Sequence, residues 1–307
     1  MTARTLPPLP ARVTVVEVGA RDGLQNEPAL VSTADKIAFV DRLTDAGLPV
    51  IEVSAFVSPK WVPQMADGSE VLAGIRRRPG TRYTALVPNA KGLERALRAR
   101  VDEVAIFAAA SEAFSRRNIN QGIDESLRTY AEVCRGALDA GIRVRGYLST
   151  AFGCPFEGAV APGRVAEVAA RLVDLGAYEV SVSDTIGIAH PGQVPAVVGE
   201  VADRIGLDRV ALHFHDTRGT ALANVLAGLV VGVSTFDASA GGLGGCPYAP
   251  GATGNLATED LVYALDGLGV ATAIDLSALT AASAFIEEKV GHALPSRYYR
   301  ASRAKTQ

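Results

Sequence analysis

Cysteine, net charge and long apolar runs are what this sequence has least of. Its three cysteines, Cys134, Cys154 and Cys246, form an odd, sparse set without a Cys-x-x-Cys spacing, which argues against a disulfide framework and suits a reducing compartment. A net charge of −3 and a pI near 5.9 offer no electrostatic case for nucleic acid or an anionic membrane. No apolar run approaches the roughly 20 residues needed to span a bilayer. The first dozen residues carry two Arg and three Pro but no apolar centre, so they read as a short arm rather than a secretory signal. The ending Arg303-Ala304-Lys305-Thr306-Gln307 is not of the peroxisomal Ser-Lys-Leu type, and a cytoplasmic setting is the default expectation. What is abundant is core-forming material: 48% of residues are hydrophobic and 21% charged over 307 residues, a length common among single-domain α/β barrels. Small molecules are the expected partners.

Apolar, β-branched runs recur at regular intervals, each followed by a helix-like stretch. Strands are expected from Val13 (VTVVEV), at Val50 to Phe56, Tyr83 to Val87, Val104 to Phe107, Ile142 to Leu148, Glu179 to Val182, Val210 to His215 and Thr235 to Ala238. Helices are expected from Ser32 or Thr33 to about Gly47, near Ser69 to Arg78, over Lys91 to Arg100, and from Asp124 after a long loop. Units of about 30 residues, eight of them, point to an α/β fold, a (β/α)₈ TIM barrel. A doubly wound open sheet is disfavoured because no Gly-x-Gly-x-x-Gly turn follows the first strand. Residues 1–270 are read as the barrel, and 271–307 as an additional C-terminal helical segment (Leu276 to Val290) and polar tail packed on it within the same domain.

In such a barrel the C-terminal ends of all strands meet at one mouth, so chemistry should collect there. In RVALHFHDTRGTALAN, His213 and His215 are two apart and share one strand face, opposite Val210, Leu212 and Phe214. A His-x-His pair is by itself as compatible with a packed strand as with a metal site. Asp22 after the first strand and Asn255 after the eighth can add a carboxylate and an amide oxygen. The resulting two-nitrogen, two-oxygen set suits Mg²⁺ or Mn²⁺ with open positions better than a closed zinc site. Arg21 stands beside Asp22. Glu52 interrupts an apolar strand, where it either pairs with a core arginine or orients a ligand or Arg21. Asp184 follows the sixth strand, and Asp237 lies in the eighth. Cys246 follows Gly241, Gly242, Gly244 and Gly245, a density that predicts a mobile loop with an accessible thiol able to give or take a proton.

With these residues assembled, the chain resembles the hydroxymethylglutaryl-CoA lyase family of the DRE-TIM metallolyase superfamily. The resemblance rests on EVGARDGLQNE (Glu17 to Glu27), IEVSAFVSPKWVPQMAD (Ile51 to Asp67), FAAASEAFSRRNIN (Phe107 to Asn120), GCPFEG (Gly153 to Gly158), SDTIG (Ser183 to Gly187), HFHDTRGTALAN (His213 to Asn224) and AGGLGGCPYAPGATGN (Ala240 to Asn255). It implies Asp22, His213, His215 and Asn255 as ligands of a divalent metal, Arg21 as the catalytic arginine, Glu52 as its supporting carboxylate, Asp184 as a further site residue and Cys246 as the loop cysteine. The superfamily's Asp-Arg-Glu motif reads Ala20-Arg21-Asp22 here, and Thr150 stands where some members have cysteine.

The implied reaction is retro-Claisen cleavage of 3-hydroxy-3-methylglutaryl-CoA to acetoacetate and acetyl-CoA, with leucine degradation and ketone body formation as its setting and a homodimer as the assembly. Removal of the tertiary hydroxyl proton needs a base, for which Asp22 and His213 compete. Arg21 would stabilise the thioester enolate, and Cys246 would return a proton to its carbon. The alternatives are a lyase for a longer 3-substituted 3-hydroxyglutaryl-CoA, a Claisen-condensing acyltransferase of the same superfamily, and a metal-binding barrel without turnover. The loop cysteine and the absence of a regulatory domain in the sequence disfavour the acyltransferase.

Overall fold

Eight short apolar runs pair edge to edge in chain order and close on themselves. The computed structural model describes residues 7–245 and 254–304. The strands are β1 (Thr14–Glu17), β2 (Val50–Ala55), β3 (Arg82–Leu86), β4 (Glu103–Ala109), β5 (Arg143–Ser149), β6 (Ala177–Asp184), β7 (Val210–Phe214) and β8 (Thr235–Ala238). All pair in parallel, and β1 meets both β2 and β8. This is the expected TIM barrel. Around it run α1 (Thr33–Asp45), α2 (Gly68–Gly74), α3 (Ala90–Arg98), α4 (Glu112–Ile119), α5 (Ile123–Asp139), α6 (Pro162–Asp174), α7 (Val194–Ile205), α8 (Ala221–Val231), α9 (Thr258–Gly267), α10 (Leu276–Val290) and α11 (Arg297–Ala304).

Caps set several of the helix starts. Ser32 accepts the Asp35 N–H ahead of α1, Asn89 that of Gly92 ahead of α3, and Asp275 those of Ser277 and Ala278 ahead of α10. α10 packs on α1 and α9, closing the ring beside the β8-to-β1 seam.

Three local outcomes differ from the sequence reading. α2 stops at Gly74 rather than Arg78, because Ile75 is extended and the Arg76 N–H bonds the Asp41 carboxylate at 2.7 Å instead of the preceding turn. The long loop before α5 contains a further helix, α4, started by the Ser111 hydroxyl and ended by Asn120 in the left-handed region at φ 55°. The C-terminal tail forms α11, whose first N–H groups are received by the Asp260 carboxylate.

The main apolar core lies between strands and helices, and Val16, Val18 and Val50 form a small separate cluster. The barrel interior is unusually charged. By strand alternation Glu103, Arg145, Tyr147, Glu179, Ser181 and Asp237 turn inward, opposite neighbours such as Val104, Val144, Val180 and Phe236 that join the outer core. Buried charge must be paired, and that pairing shapes the site above it.

Candidate metal centre and active site

β7 brings its imidazoles to one place. His213 points into the barrel and His215 follows just past the strand end, their ring centroids 5.1 Å apart, while Leu212 and Phe214 face the helices. A backbone bridge joins His215 to Asn255. Asp22 arrives from the other side, on a wide π-helical turn over Gly19–Gly23 closed by the Gly23 N–H on the Val18 carbonyl at 3.1 Å. Such turns are frequent where a backbone is adapted to a site. From sequence this stretch is expected as a plain polar loop.

Donor atoms of Asp22, His213 and His215 all lie within 4.8 Å of one another, close enough for one ion to touch each. The Asn255 amide group donates to Asp22 Oδ2 and to the Leu243 carbonyl, both at 3.0 Å. Its Oδ1 is buried and has no hydrogen-bond partner among the described residues. An orphaned buried acceptor costs about 1–3 kcal/mol, a cost that a cation alongside would remove. Two imidazoles, a carboxylate and that amide oxygen therefore fit a divalent cation with positions left over.

The local electrostatics prepare the ligands. Burial, aided by neighbouring His213, pushes the His215 pKa down to about 4, so the ring is neutral and able to ligate at pH 7. Asp237 Oδ2 faces His213 Nδ1 at 3.3 Å and receives Ser181 Oγ at 2.6 Å, while its Oδ1 receives Arg145 Nη2 at 2.8 Å. Arg145 also bonds Glu179 at 2.7 Å. Burial would raise the Asp237 pKa, but Arg145 and His213 outweigh it and hold it down at about 2. With Nδ1 committed to a carboxylate, His213 presents Nε2 to the site.

Arg21, on the same turn as Asp22, is buried. Its Nε donates to Glu52 Oε2 at 2.6 Å and its Nη1 to Asp22 Oδ1 at 2.5 Å. Glu52 thus pairs with the buried Arg21 guanidinium, a contact common to both roles left open from the sequence. Burial lowers the guanidinium's proton affinity, but Glu52 and Asp22 more than restore it, so Arg21 stays charged. Burial alone would raise the Asp22 pKa. Arg21 and both histidines prevail and hold it below the usual carboxylate range.

Asp184 does not join this group. As the last residue of β6 it shares a face with Val180 and Val182, away from the barrel axis, and its carboxylate accepts the Ile188 and Ala189 N–H groups at 2.9 and 3.0 Å. It shapes the following loop, while Ser183 and Thr185 on either side line the cavity. In this structure Asp184 holds the following loop instead of facing the ligand cluster, where the sequence reading expects a site residue. Cys246 lies outside the described residues. The turn that precedes it, Ala240–Gly242, is buried rather than open, against the expectation of looseness along the whole glycine run.

Tyr147 was missed by the sequence reading. Its ring lies 5.4 Å from the Arg21 guanidinium carbon and 5.1 Å from that of Arg145, and it lines the cavity. Burial, then Glu52 and Asp237, push its pKa well up, so its hydroxyl keeps its proton. The signal was present: Arg145, Tyr147 and Ser149 occupy alternate positions of one strand, as do Glu179, Ser181 and Ser183 of the next.

From the cluster a cavity of about 740 Å³ runs outward past Leu86, Phe107 and Phe114 toward Asn89 and Arg117. It is polar and charged at its head and largely apolar along its flank, the form of a site for an extended organic anion.

Residues 12–286 match the HMGL-like family model. The chain is 54% identical over 277 residues to mitochondrial hydroxymethylglutaryl-CoA lyase of Bos taurus, covering 90% of this chain and 85% of the relative. It is 53% identical over 297 residues to a 3-hydroxy-3-isohexenylglutaryl-CoA/hydroxy-methylglutaryl-CoA lyase of Pseudomonas aeruginosa, covering 97% and 99%. The crystal structure of hydroxymethylglutaryl-CoA lyase from Pseudomonas aeruginosa superimposes with a TM-score of 0.95 at 53% identity, over 97% of this chain and 99% of that one.

Proposed function

The chain belongs to the HMGL-like family, and on that premise we infer that it is a carbon–carbon lyase that splits 3-hydroxy-3-methylglutaryl-CoA into acetoacetate and acetyl-CoA. The observation that carries the reading is the meeting of Asp22, His213 and His215 beside a fixed guanidinium at the head of the cavity.

Asp22, His213, His215 and Asn255 would hold Mg²⁺ or Mn²⁺. When bound, the divalent ion supplies Lewis acidity toward substrate oxygens. Arg21 places a permanent positive charge where the thioester oxygen gains charge as the carbon–carbon bond breaks, and Glu52 keeps it there. Of the two candidates for accepting the hydroxyl proton, Asp22 has its proton affinity lowered. His213, held at Nδ1 by Asp237 and turned to the ion through Nε2, has no free ring lone pair while the ion is bound, so neither ligand is assigned as the base. Tyr147, protonated and facing the cavity, can donate a hydrogen bond to the acyl group but cannot serve as the base. The proton that completes acetyl-CoA is assigned to Cys246.

Metal stripping tests the reading. Chelator-treated protein should form no acetoacetate from 3-hydroxy-3-methylglutaryl-CoA, and Mn²⁺ or Mg²⁺ should restore it; full activity after exhaustive chelation contradicts the ligand assignment. The metabolic setting that goes with this activity is leucine degradation and ketone body formation. Cys134 and Cys154 are free thiols, which suits a cytoplasmic location, and the assembly is taken to be a homodimer. Among the described residues no helix is long and apolar enough to cross a membrane.

A further inference from the structure

The ligand-bearing loops come from three adjacent units, β7, β8 and β1, and one short segment outside the barrel touches all three. Between α10 and α11, His292 Nε2 meets Glu27 Oε2 at 2.6 Å, at the end of the loop that carries Arg21 and Asp22. Two residues on, Leu294 and Pro295 cover the turn after β8: a Cβ on Gly241 would collide with Leu294, and one on Gly242 would stand 3.0 Å from Pro295. The Ser296 N–H donates to the Gly241 carbonyl at 3.0 Å. Arg297 Nη1 then reaches Asp216 Oδ2 at 3.0 Å, the residue directly after His215. Asp260 fixes the far end by receiving Ser296 Oγ and the N–H groups of Arg297 and Tyr298.

The three loops are also tied to each other beneath this segment. Asn26 donates to the Gly245 carbonyl at 3.1 Å, and the Asp216 N–H donates to the Gly254 carbonyl at 3.1 Å. The segment therefore spans the loops of Asp22, His215 and Asn255, and its hydrogen bonds to them are made with Glu27, Asp216 and Gly241 rather than with a ligand side chain.

We propose that residues 291–297 form a strap that positions the metal ligands, with His292 and Arg297 as positioning residues acting through Glu27 and Asp216. Without its two ends, the Asp22 and His215 loops keep their direct hydrogen bonds and packing but lose the brace that ties both to one segment. The ligand cluster then samples wider separations, and ion affinity falls before substrate affinity does. Each end is partly exposed, with Arg297 at 67% and His292 at 48% side-chain exposure, and exposed pairs are individually weak, so both must be removed together.

The proposal rests on the divalent-metal reading above, and one titration separates the two. Metal-free wild type, His292→Ala/Arg297→Ala and Lys289→Ala are titrated with Mn²⁺ by electron paramagnetic resonance, and kcat and KM are measured at saturating Mn²⁺. Lys289 pairs with half-buried Asp35 and exposed Glu288 and lies over the Phe285 ring, none of which belongs to the strap or the ligand loops, so Lys289→Ala should match wild type in Mn²⁺ affinity. The double variant should bind Mn²⁺ about threefold to tenfold more weakly, below the ~10–100-fold seen when a ligand's direct partner is lost. Its kcat should be reduced with KM for the thioester unchanged, and Arg297→Lys alone should lie near wild type. Equal Mn²⁺ affinity with only a lowered melting temperature overturns the strap. Failure of wild type to bind Mn²⁺ overturns the metal reading and the strap with it. If the double variant does not fold, the milder His292→Gln/Arg297→Gln double variant carries the same comparison, and unchanged Mn²⁺ affinity in it overturns the proposal.

Discussion

Asp237→Asn should convert a metal ligand into a non-ligand without touching the metal. Asp237 is fully buried, with Oδ1 against the Arg145 guanidinium and Oδ2 against Ser181 and His213. An asparagine cannot place its NH₂ toward a cation, so its oxygen must take the Arg145 side and its NH₂ must face His213 Nδ1. Nδ1 then has to accept, and the imidazole proton moves to Nε2, the nitrogen meant for the ion. Loss of such a partner weakens metal affinity or activity by about 10–100-fold. Stability should fall as well. Arg145 and His213 hold Asp237 at about 2 against an ordinary 3.8, and at about 1.4 kcal/mol per pKa unit this is roughly 2–3 kcal/mol. Because the folded-state pKa is depressed, that stability is present in wild type above pH 4 and lost as pH falls toward 2. At neutral pH the variant lacks it and should melt a few degrees lower. The assay is Mn²⁺ titration of metal-free protein, with acetoacetate release measured at low and saturating Mn²⁺. A Mn²⁺ dissociation constant within twofold of wild type would refute the tautomer argument.

Other consequences can be checked with the same materials. Arg21→Ala removes the charge proposed at the developing enolate and should lower kcat at least about a hundredfold on metal-loaded enzyme; near-normal kcat contradicts the role. Burial pushes Glu259 up to about 8 despite hydrogen bonds from Ser283 and the Gly241 N–H. A folded-state pKa raised above 4.5 means stability that is full at low pH and drains as pH rises through 8. Glu259→Gln stays neutral, so its melting temperature should change less than that of wild type between pH 5 and 9; parallel curves would rule this out. Asp184→Asn keeps one acceptor for the loop amides and should leave Mn²⁺ affinity unchanged, whereas a tenfold loss would return Asp184 to the reacting group.

Much of this architecture could be read from residue order because the signals are local and periodic. Strands announce themselves as apolar, β-branched runs, and the two-residue spacing of His213 and His215 already puts both on one face. The barrel geometry then gathers Asp22 and Asn255, which no local pattern links. The sequence hid α4 and α11 for one reason: each buries little apolar surface, with Phe114 and Ser115 buried in the first and Tyr299 in the second, so neither carries an apolar stripe. Asp184 ends a strand, as a mouth residue should, but its parity with Val180 and Val182 places it on the outer face. The Arg145–Asp237 pair spans 92 residues, and only the closed barrel shows that one neutralises the other. The turn over Gly241 is buried because residues from the far end of the chain cover it.

The most direct test of the central claim is product analysis of purified protein given 3-hydroxy-3-methylglutaryl-CoA and Mn²⁺, with acetoacetate and acetyl-CoA measured together by mass spectrometry. The account predicts equimolar release of both, abolished by chelation. Intact thioester after prolonged incubation with metal-loaded protein, or release of free CoA without acetoacetate, would contradict it.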